Sequence, residues 1–192
     1  RPAPPVRNLS RVRRVHIAGA VLRIRVLILN RALKISFLCC GSLTMRPTPR
    51  FSRRMGGGIG SAVCQRLADA GADIVALSAS ADDLDTTRAE VERRGRRAYA
   101  GVVDVTDLEA QKTMVDETLE RFGRLDAVFA NAGRGGSPGG FSEADPESWK
   151  SMLMTNVYGL GLTIQACADA LKSSRGHLLI TGSAAGRATI PG

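Results

Sequence analysis

From residue 59 onward, apolar positions alternate between helical spacing and short unbroken runs. Ile59, Val63, Leu67 and Ala70 recur every three or four residues and predict a helix closed by Gly71. "DIVALS" is a short apolar run bounded by Gly and polar residues, as expected of a buried parallel strand. A second helix is predicted from about Asp82 to Arg94, with Leu84 and Val91 inward and Gly95 at its end, followed by a strand in "RAYAGVVDV". Thr106 begins "TDLE", which reads as a capping box, and Leu108, Val115, Leu119 and Phe122 mark the inward face of the helix up to Gly123. "LDAVFA" predicts a strand, "NAGRGGSPGG" a glycine-rich loop, Pro146 to about Lys172 one long helix with an apolar midsection, and "GHLLITGS" a last strand. Strands alternating with helices of this length require right-handed crossovers, so the pattern predicts an α/β fold built on a doubly wound parallel sheet. Ligands of such sheets bind beyond the carboxyl ends of the strands.

Charge divides the 192 residues unevenly. Residues 1–54 hold thirteen Arg or Lys and no Asp or Glu, whereas residues 55–192 hold fourteen basic and eighteen acidic side chains. The net charge of +9 therefore resides in the first segment, and the remainder has no excess of charge toward a phosphate backbone. The segment 1–54 is expected to lie outside the domain, as the product of a shifted reading frame or a misplaced gene start. An organellar targeting segment, which is Arg-rich and acid-poor, would share this composition, as would a basic arm for nucleic acid. The arm would lack a helix-turn-helix, zinc or RNA-recognition pattern, so a nucleic-acid partner is not expected. Arg23 and Arg25 interrupt "VHIAGAVLRIRVLIL", and no membrane span is expected. Cys39, Cys40, Cys64 and Cys167 show no metal-ligand spacing, which fits a reducing compartment such as the cytoplasm, or an organelle if 1–54 is a targeting segment.

Several residue types along this pattern suit a dinucleotide. Gly58 and Gly60, flanking Ile59, permit a close approach of backbone amides to a phosphate at a helix start, although a glycine cluster alone is as often a plain turn. Asn131, Asn156 and Ser183 each suit an ordinary structural role as well: a turn residue, a helix kink and a cap. His177, without His, Cys or carboxylate neighbours, is expected to be structural, and Trp149 a packing anchor.

Taken in order, these residues resemble the short-chain dehydrogenase/reductase family from about Met55 to Gly192. "GGGIG" is similar to the latter part of the family's Thr-Gly-x-x-x-Gly-x-Gly loop, and Asp104-Val105 in "VDVTD" occupies the place of the aspartate that contacts adenine. Asn131-Ala132-Gly133 matches the family's motif after the fourth strand. Asn156 in "TNVYG" and Ser183 in "TGSAAG" fall on two members of the catalytic tetrad. The resemblance implies a Rossmann-type dinucleotide-binding domain over 55–192 and an NAD(P)-dependent oxidoreductase acting on a small alcohol or carbonyl substrate. Relatives often pair through this region, so the apolar midsection of the 146–172 helix is expected either to form a surface between copies or to pack in the core. NAD-preferring relatives place Asp at the end of the second strand where this chain has Ser78, which favours NADP as cofactor, with NAD the alternative.

The chain departs from the family at both ends. Arg53 and Arg54 align with the loop's first Thr and Gly, and "PTPRF" stands where a buried first strand is expected. The central strand is accordingly expected to be missing or replaced; "VLRIRVLILN" is a poor candidate because of its distance from the turn. The family's Tyr-x-x-x-Lys is not in the sequence: Tyr158 has no Lys four residues on, and the chain stops at "RATIPG", short of the tyrosine's usual place. A truncated, inactive version of the enzyme is the expectation. A non-catalytic nucleotide-binding or interaction module using the basic arm is the alternative.

Overall fold

The computed structural model describes residues 36–40 (backbone), 58–81, 84–135, 141–183 and 186. The chain divides into Arg1–Leu33 and Lys34–Gly192, and every described residue belongs to the second unit. The readings of residues 1–35, of Arg53 and Arg54, and of the final "RATIPG" after Gly186 lie outside the described residues.

Five strands form one parallel sheet in the order β3-β2-β1-β4-β5. They are β1 (Ser36–Cys40), β2 (Asp73–Ser78), β3 (Ala98–Val102), β4 (Ala127–Ala130) and β5 (His177–Ile180). The helices are α1 (Ile59–Asp69), α2 (Leu84–Glu92), α3 (Leu108–Phe122), α4 (Pro146–Leu153) and α5 (Leu160–Ser174). Strand order reverses after β3, as in doubly wound nucleotide-binding sheets. The predicted fold class is the observed one.

The central position, whose strand is expected to be missing or replaced, is filled by β1. β1 pairs with β2 from Ser36↔Asp73 to Cys40↔Leu77 and with β4 from Phe37↔Ala127 to Cys40↔Ala130. "SFLCC" is a short apolar run free of arginine, unlike the alternating basic run before it. Pairing on both sides satisfies the backbone groups of β2 and β4 that an empty slot would have exposed. Residues 41–57 separate this strand from the glycine turn.

All six residues of β2 are buried, and Ile74 and Val75 are fully so, as a central strand covered on both faces requires. The main core joins Val75 and Leu77 to Val103, Val105, Met114, Val115, Phe122, Leu125, Val128 and Cys167. In α1 the buried positions are Gly60, Ser61, Val63, Cys64 and Ala68, so the stripe predicted through Leu67 and Ala70 is rotated by about one residue. Gly71, Gly95 and Gly123 each adopt positive φ just after a helix and turn the chain toward the next strand.

Three further expectations are corrected. The cap of α3 is Asp107, whose Oδ1 accepts from the Ala110 amide at 2.9 Å. Thr106 does not cap; its amide and hydroxyl both donate to Asp104 Oδ1 at 2.8 Å, and Glu109 pairs with Lys112. The long helix from Pro146 is interrupted by a π-helical turn over Met154–Gly159 that contains Asn156. Trp149, expected to anchor packing, is 44% exposed.

Candidate functional site

The strands' parallel order gathers the predicted residues at one rim. Ser78 ends β2 and its carbonyl accepts from the Val103 amide at 2.8 Å, so Asp104 lies just past the neighbouring strand end. Asn131 follows β4, and the Thr181 amide donates to the Ala130 carbonyl at 3.0 Å, which carries the β4–β5 pairing up to the residues before Ser183. α1 ends at Asp69, four residues before β2 begins, so it runs opposite to the strands and its Gly58 start returns to the same rim. With neighbouring strands about 4.8 Å apart, the rim from Asp104 to Ser183 spans four spacings, about 19 Å.

Each side chain is fixed locally. The buried Ser78 hydroxyl accepts from the Ser80 amide at 3.2 Å. Asp104, exposed, accepts both Thr106 bonds on Oδ1. Val105 beside it is buried. Asn131 is 1% exposed and its Oδ1 accepts from the Thr181 hydroxyl at 2.7 Å, joining the ends of β4 and β5. Ala132 and Gly133 continue from it, half-buried. Ser183 is exposed, and its carbonyl accepts from the Gly186 amide at 3.1 Å.

Asn156 is joined to the loop after Gly133. Its Oδ1 accepts from the Arg134 amide at 2.9 Å and its Nδ2 donates to the Arg134 carbonyl at 3.0 Å. This pair of bonds leaves the Asn156 amide one N–H and one lone pair for anything else. A mid-helix asparagine is a poor helix former because its side chain competes for backbone groups; here it bonds the backbone of another segment, within the π turn. Arg134 also reaches across, its Nη1 donating to Ser151 Oγ at 2.8 Å. A shallow cleft runs beside these groups, lined by Asp104, Thr106, Arg134, Lys150, Ser151 and Thr155.

The start of α1 differs from the other capped starts. α3 and α4 begin with Asp107 and Asp145 as caps and carry Glu109 and Glu147 in their first turns. α1 begins at Gly58 with no side-chain cap and no acidic residue in its first turn. A helix start without anionic side chains is suited to an external phosphate. Among the described residues, the rim thus offers a helix start without side-chain cap or acid, suited to a phosphate, and the Asp104 carboxylate at the edge of the sheet.

Reading the sequence missed Arg134, Thr181, Gln111 and Thr163. Thr181 could have been found from strand alternation, since it lies two residues before Ser183. Gln111 falls on the inward stripe of α3 between Leu108 and Val115, and a polar residue there signals a buried hydrogen bond. Asn156's partner had no local signal, because Arg134 is 22 residues away. Among the described residues no group of His, Cys, Asp and Glu gathers as a metal site, and no helix is long and apolar enough to cross a membrane.

The family model for short chain dehydrogenases matches residues 55–192. An NAD-dependent oxidoreductase of Mycobacterium tuberculosis is 35% identical over 142 residues, covering 66% of this chain and 51% of that protein. (-)-trans-Carveol dehydrogenase of Rhodococcus erythropolis is 32% identical over 135 residues, 63% of this chain and 49% of the relative. The chain spans about half the length of these curated relatives. Among solved structures, NAD+-bound xylitol dehydrogenase superposes with a TM-score of 0.71 at 28% identity, over 82% of this chain and 56% of the other. Carveol dehydrogenase from Mycobacterium avium in complex with NAD gives 0.68 at 29% identity, over 82% and 57%. With the sheet order, the bare helix start and the family model all in agreement, the chain belongs to the short-chain dehydrogenase/reductase family.

Proposed function

We propose that this chain holds a nicotinamide dinucleotide along the carboxyl rim of its sheet, as part of an oxidoreductase acting on a small alcohol or carbonyl compound. The observation that carries this reading is the gathering of Gly58, Ser78, Asp104, Asn131, Asn156 and Ser183 at that rim, beside a helix start without cap or acid. In this arrangement Gly58, Ile59 and Gly60 present first-turn amides to the pyrophosphate. Asp104 accepts from the adenine amino group while Val105 packs beneath the ring, and Ser78 faces the ribose. Asn131, Ala132 and Gly133 lie along the nicotinamide half. Ser183 donates to the substrate oxygen, and Asn156 steadies the loop after Gly133. The bound dinucleotide supplies the hydride acceptor or donor.

A proton must also pass to or from the substrate oxygen, and the family resemblance assigns this to a tyrosine helped by a lysine. Neither tyrosine here suits that role. Tyr99 and Tyr158 are followed four residues on by Val103 and Leu162, and the Tyr99 hydroxyl bonds Glu117. The 192-residue chain is therefore proposed to bind cofactor without turnover. Between nucleotides, the hydroxyl at Ser78 in place of a carboxylate favours NADP, whereas the relatives described as NAD-dependent or NAD-bound weigh toward NAD. Free, buried Cys64 and Cys167 suit a reducing, cytoplasmic setting.

Titration calorimetry of the full chain with NAD+ and NADP+ tests the reading. Saturable binding of either, weakened at least tenfold by Gly60→Asp, which places a carboxylate against the phosphate, is expected. Absence of binding by both overturns it, and the ratio of the two Kd values decides the nucleotide.

We also propose that copies pair through the helix face bearing Trp149, Leu153, Val157, Tyr158 and Ile164, all at least 39% exposed. Val157→Glu is expected to turn a dimer into a monomer by light scattering; a wild-type monomer removes the proposal.

A further inference from the structure

Gln111 and Thr163 form a buried polar link between two parts of the candidate site. Gln111, on α3, is 3% exposed and its Nε2 donates to the Val105 carbonyl at 2.7 Å. A carbonyl can only accept, so the amide nitrogen must face Val105, and Oε1 must face the other way, toward Thr163. Thr163, on α5 and 1% exposed, places Oγ1 2.8 Å from Gln111 Oε1 and 2.9 Å from the Gly159 carbonyl. Both of those groups are acceptors. A threonine hydroxyl carries a single hydrogen, so one contact holds the proton while the other sets oxygen against oxygen.

The link thus has two states. With the proton on Gly159, the last carbonyl of the π turn is held; with the proton on Gln111, the amide is held and, through it, the Val105 carbonyl. Gly159 and Val105 also touch directly, because a Cβ on Gly159 would lie 2.6 Å from Val105 Cγ2. A threonine bonding the carbonyl four residues back satisfies itself within its own helix. That local bond does not account for a second acceptor at 2.8 Å on a different helix.

We propose that Gln111 and Thr163 are positioning residues that couple the Asp104–Val105 loop to the π turn carrying Asn156, so that filling the adenine end of the site tightens the turn. A ligand drawing the Val105 backbone into one arrangement biases the hydroxyl's choice, and the hydroxyl's choice sets the hold on Gly159. A coupling of this kind needs an element with discrete arrangements that both ends bias, which the shared proton provides. The inference rests on the cofactor reading above.

Adenosine monophosphate, which fills only the adenine end, is the probe. Amide hydrogen exchange over residues 154–159 of the full chain is expected to slow about fivefold when it binds, the low end of coupling between sites. Thr163→Val removes the proton and abolishes the slowing while binding persists; Thr163→Ser restores it, which a loss of methyl packing would not allow. Gln111→Met does the same as Thr163→Val from the other side, and decides the matter should the valine variant not fold. Binding without slowing in the natural chain, or slowing retained in both Thr163→Val and Gln111→Met, overturns this inference alone. Failure of adenosine monophosphate, NAD+ and NADP+ to bind at all overturns the cofactor reading and this inference with it.

Discussion

The two rims of the sheet are held by different chemistry. At the amino rim, Asp73 opens β2 with its side chain 4% exposed, and it accepts from Arg96 Nη2 at 2.6 Å and from Arg97 Nε and Nη2 at 2.9 and 2.7 Å. The Arg97 guanidinium stacks 4.6 Å from the Phe122 ring centre, and Arg121 stacks 4.1 Å from that of Tyr99. At the carboxyl rim, Ser78, Asp104 and Asn156 bond the backbone nearby or across one loop, and Asp104 takes part in no ion pair among the described residues. Long charged side chains lock one end of the sheet, whereas short polar ones shape the other. The difference shows how one end of a sheet can be pinned by ion pairs while the other is shaped by short side chains bonded to nearby backbone.

Removing the lock should have the largest effect. Asp73→Asn leaves two guanidinium groups without their counter-charge at a buried position. A loss of about 3 kcal/mol is expected in a denaturant titration, the low end for a broken buried pair because both arginines are partly exposed. The same residue sets a pH dependence. Burial works against the Asp73 charge, but the Arg97 hydrogen bonds and the charges of Arg96 and Arg97 outweigh it and hold its pKa below the usual carboxylate value. With the folded pKa depressed, this contribution is fully present above the unfolded value of about 3.9 and is lost as pH falls through the lower folded one. Asp73→Asn should flatten stability against pH in that acid window and leave the slope above about pH 5 unchanged.

Gly159→Ala comes next. Its Cβ would lie 2.6 Å from Val105 Cγ2, and forcing the π turn away from that loop should cost about 1–3 kcal/mol. Val105→Ala in the same chain should recover part of the loss, and no recovery would mean that the two do not meet. Asn156→Ala should cost only about 1 kcal/mol, since its bonds are exposed, yet it frees the loop at Arg134. A fall in cofactor affinity larger than the fall in stability would set the two rims apart as argued. The smallest effect concerns Cys167, whose thiol burial pushes up to about 12. At about pH 8, iodoacetamide should leave Cys167 unlabelled in the folded protein and label it once denatured, as peptide mass spectrometry would show.

Much of this is legible in the residues. The β2 run "DIVALS", Gly123 after Phe122 and the inward pair Leu84 and Val91 match the structure because period and punctuation agree there. The site residues can be named because "NAG", "TNVYG" and "TGSAAG" stand in order along the chain. What stays hidden depends on contacts far apart in sequence or on competition between neighbours. Asp107 caps α3 while Thr106 bonds Asp104, and the π turn at Asn156 goes with bonds to Arg134. β1 is hidden by its flanks, since "SFLCC" lies between an arginine-rich run and residues 41–57 and far from the turn that normally follows such a strand.

The place of Ser36–Cys40 between β2 and β4 bears on any attempt to work with a shortened protein. Cutting before Met55, where the family match begins, would strip ladder partners from two strands at the heart of the sheet and bare their edges to aggregation. Cutting after Leu33 keeps every described strand, so a trimming point that preserves this sheet lies about twenty residues before the start of the family match.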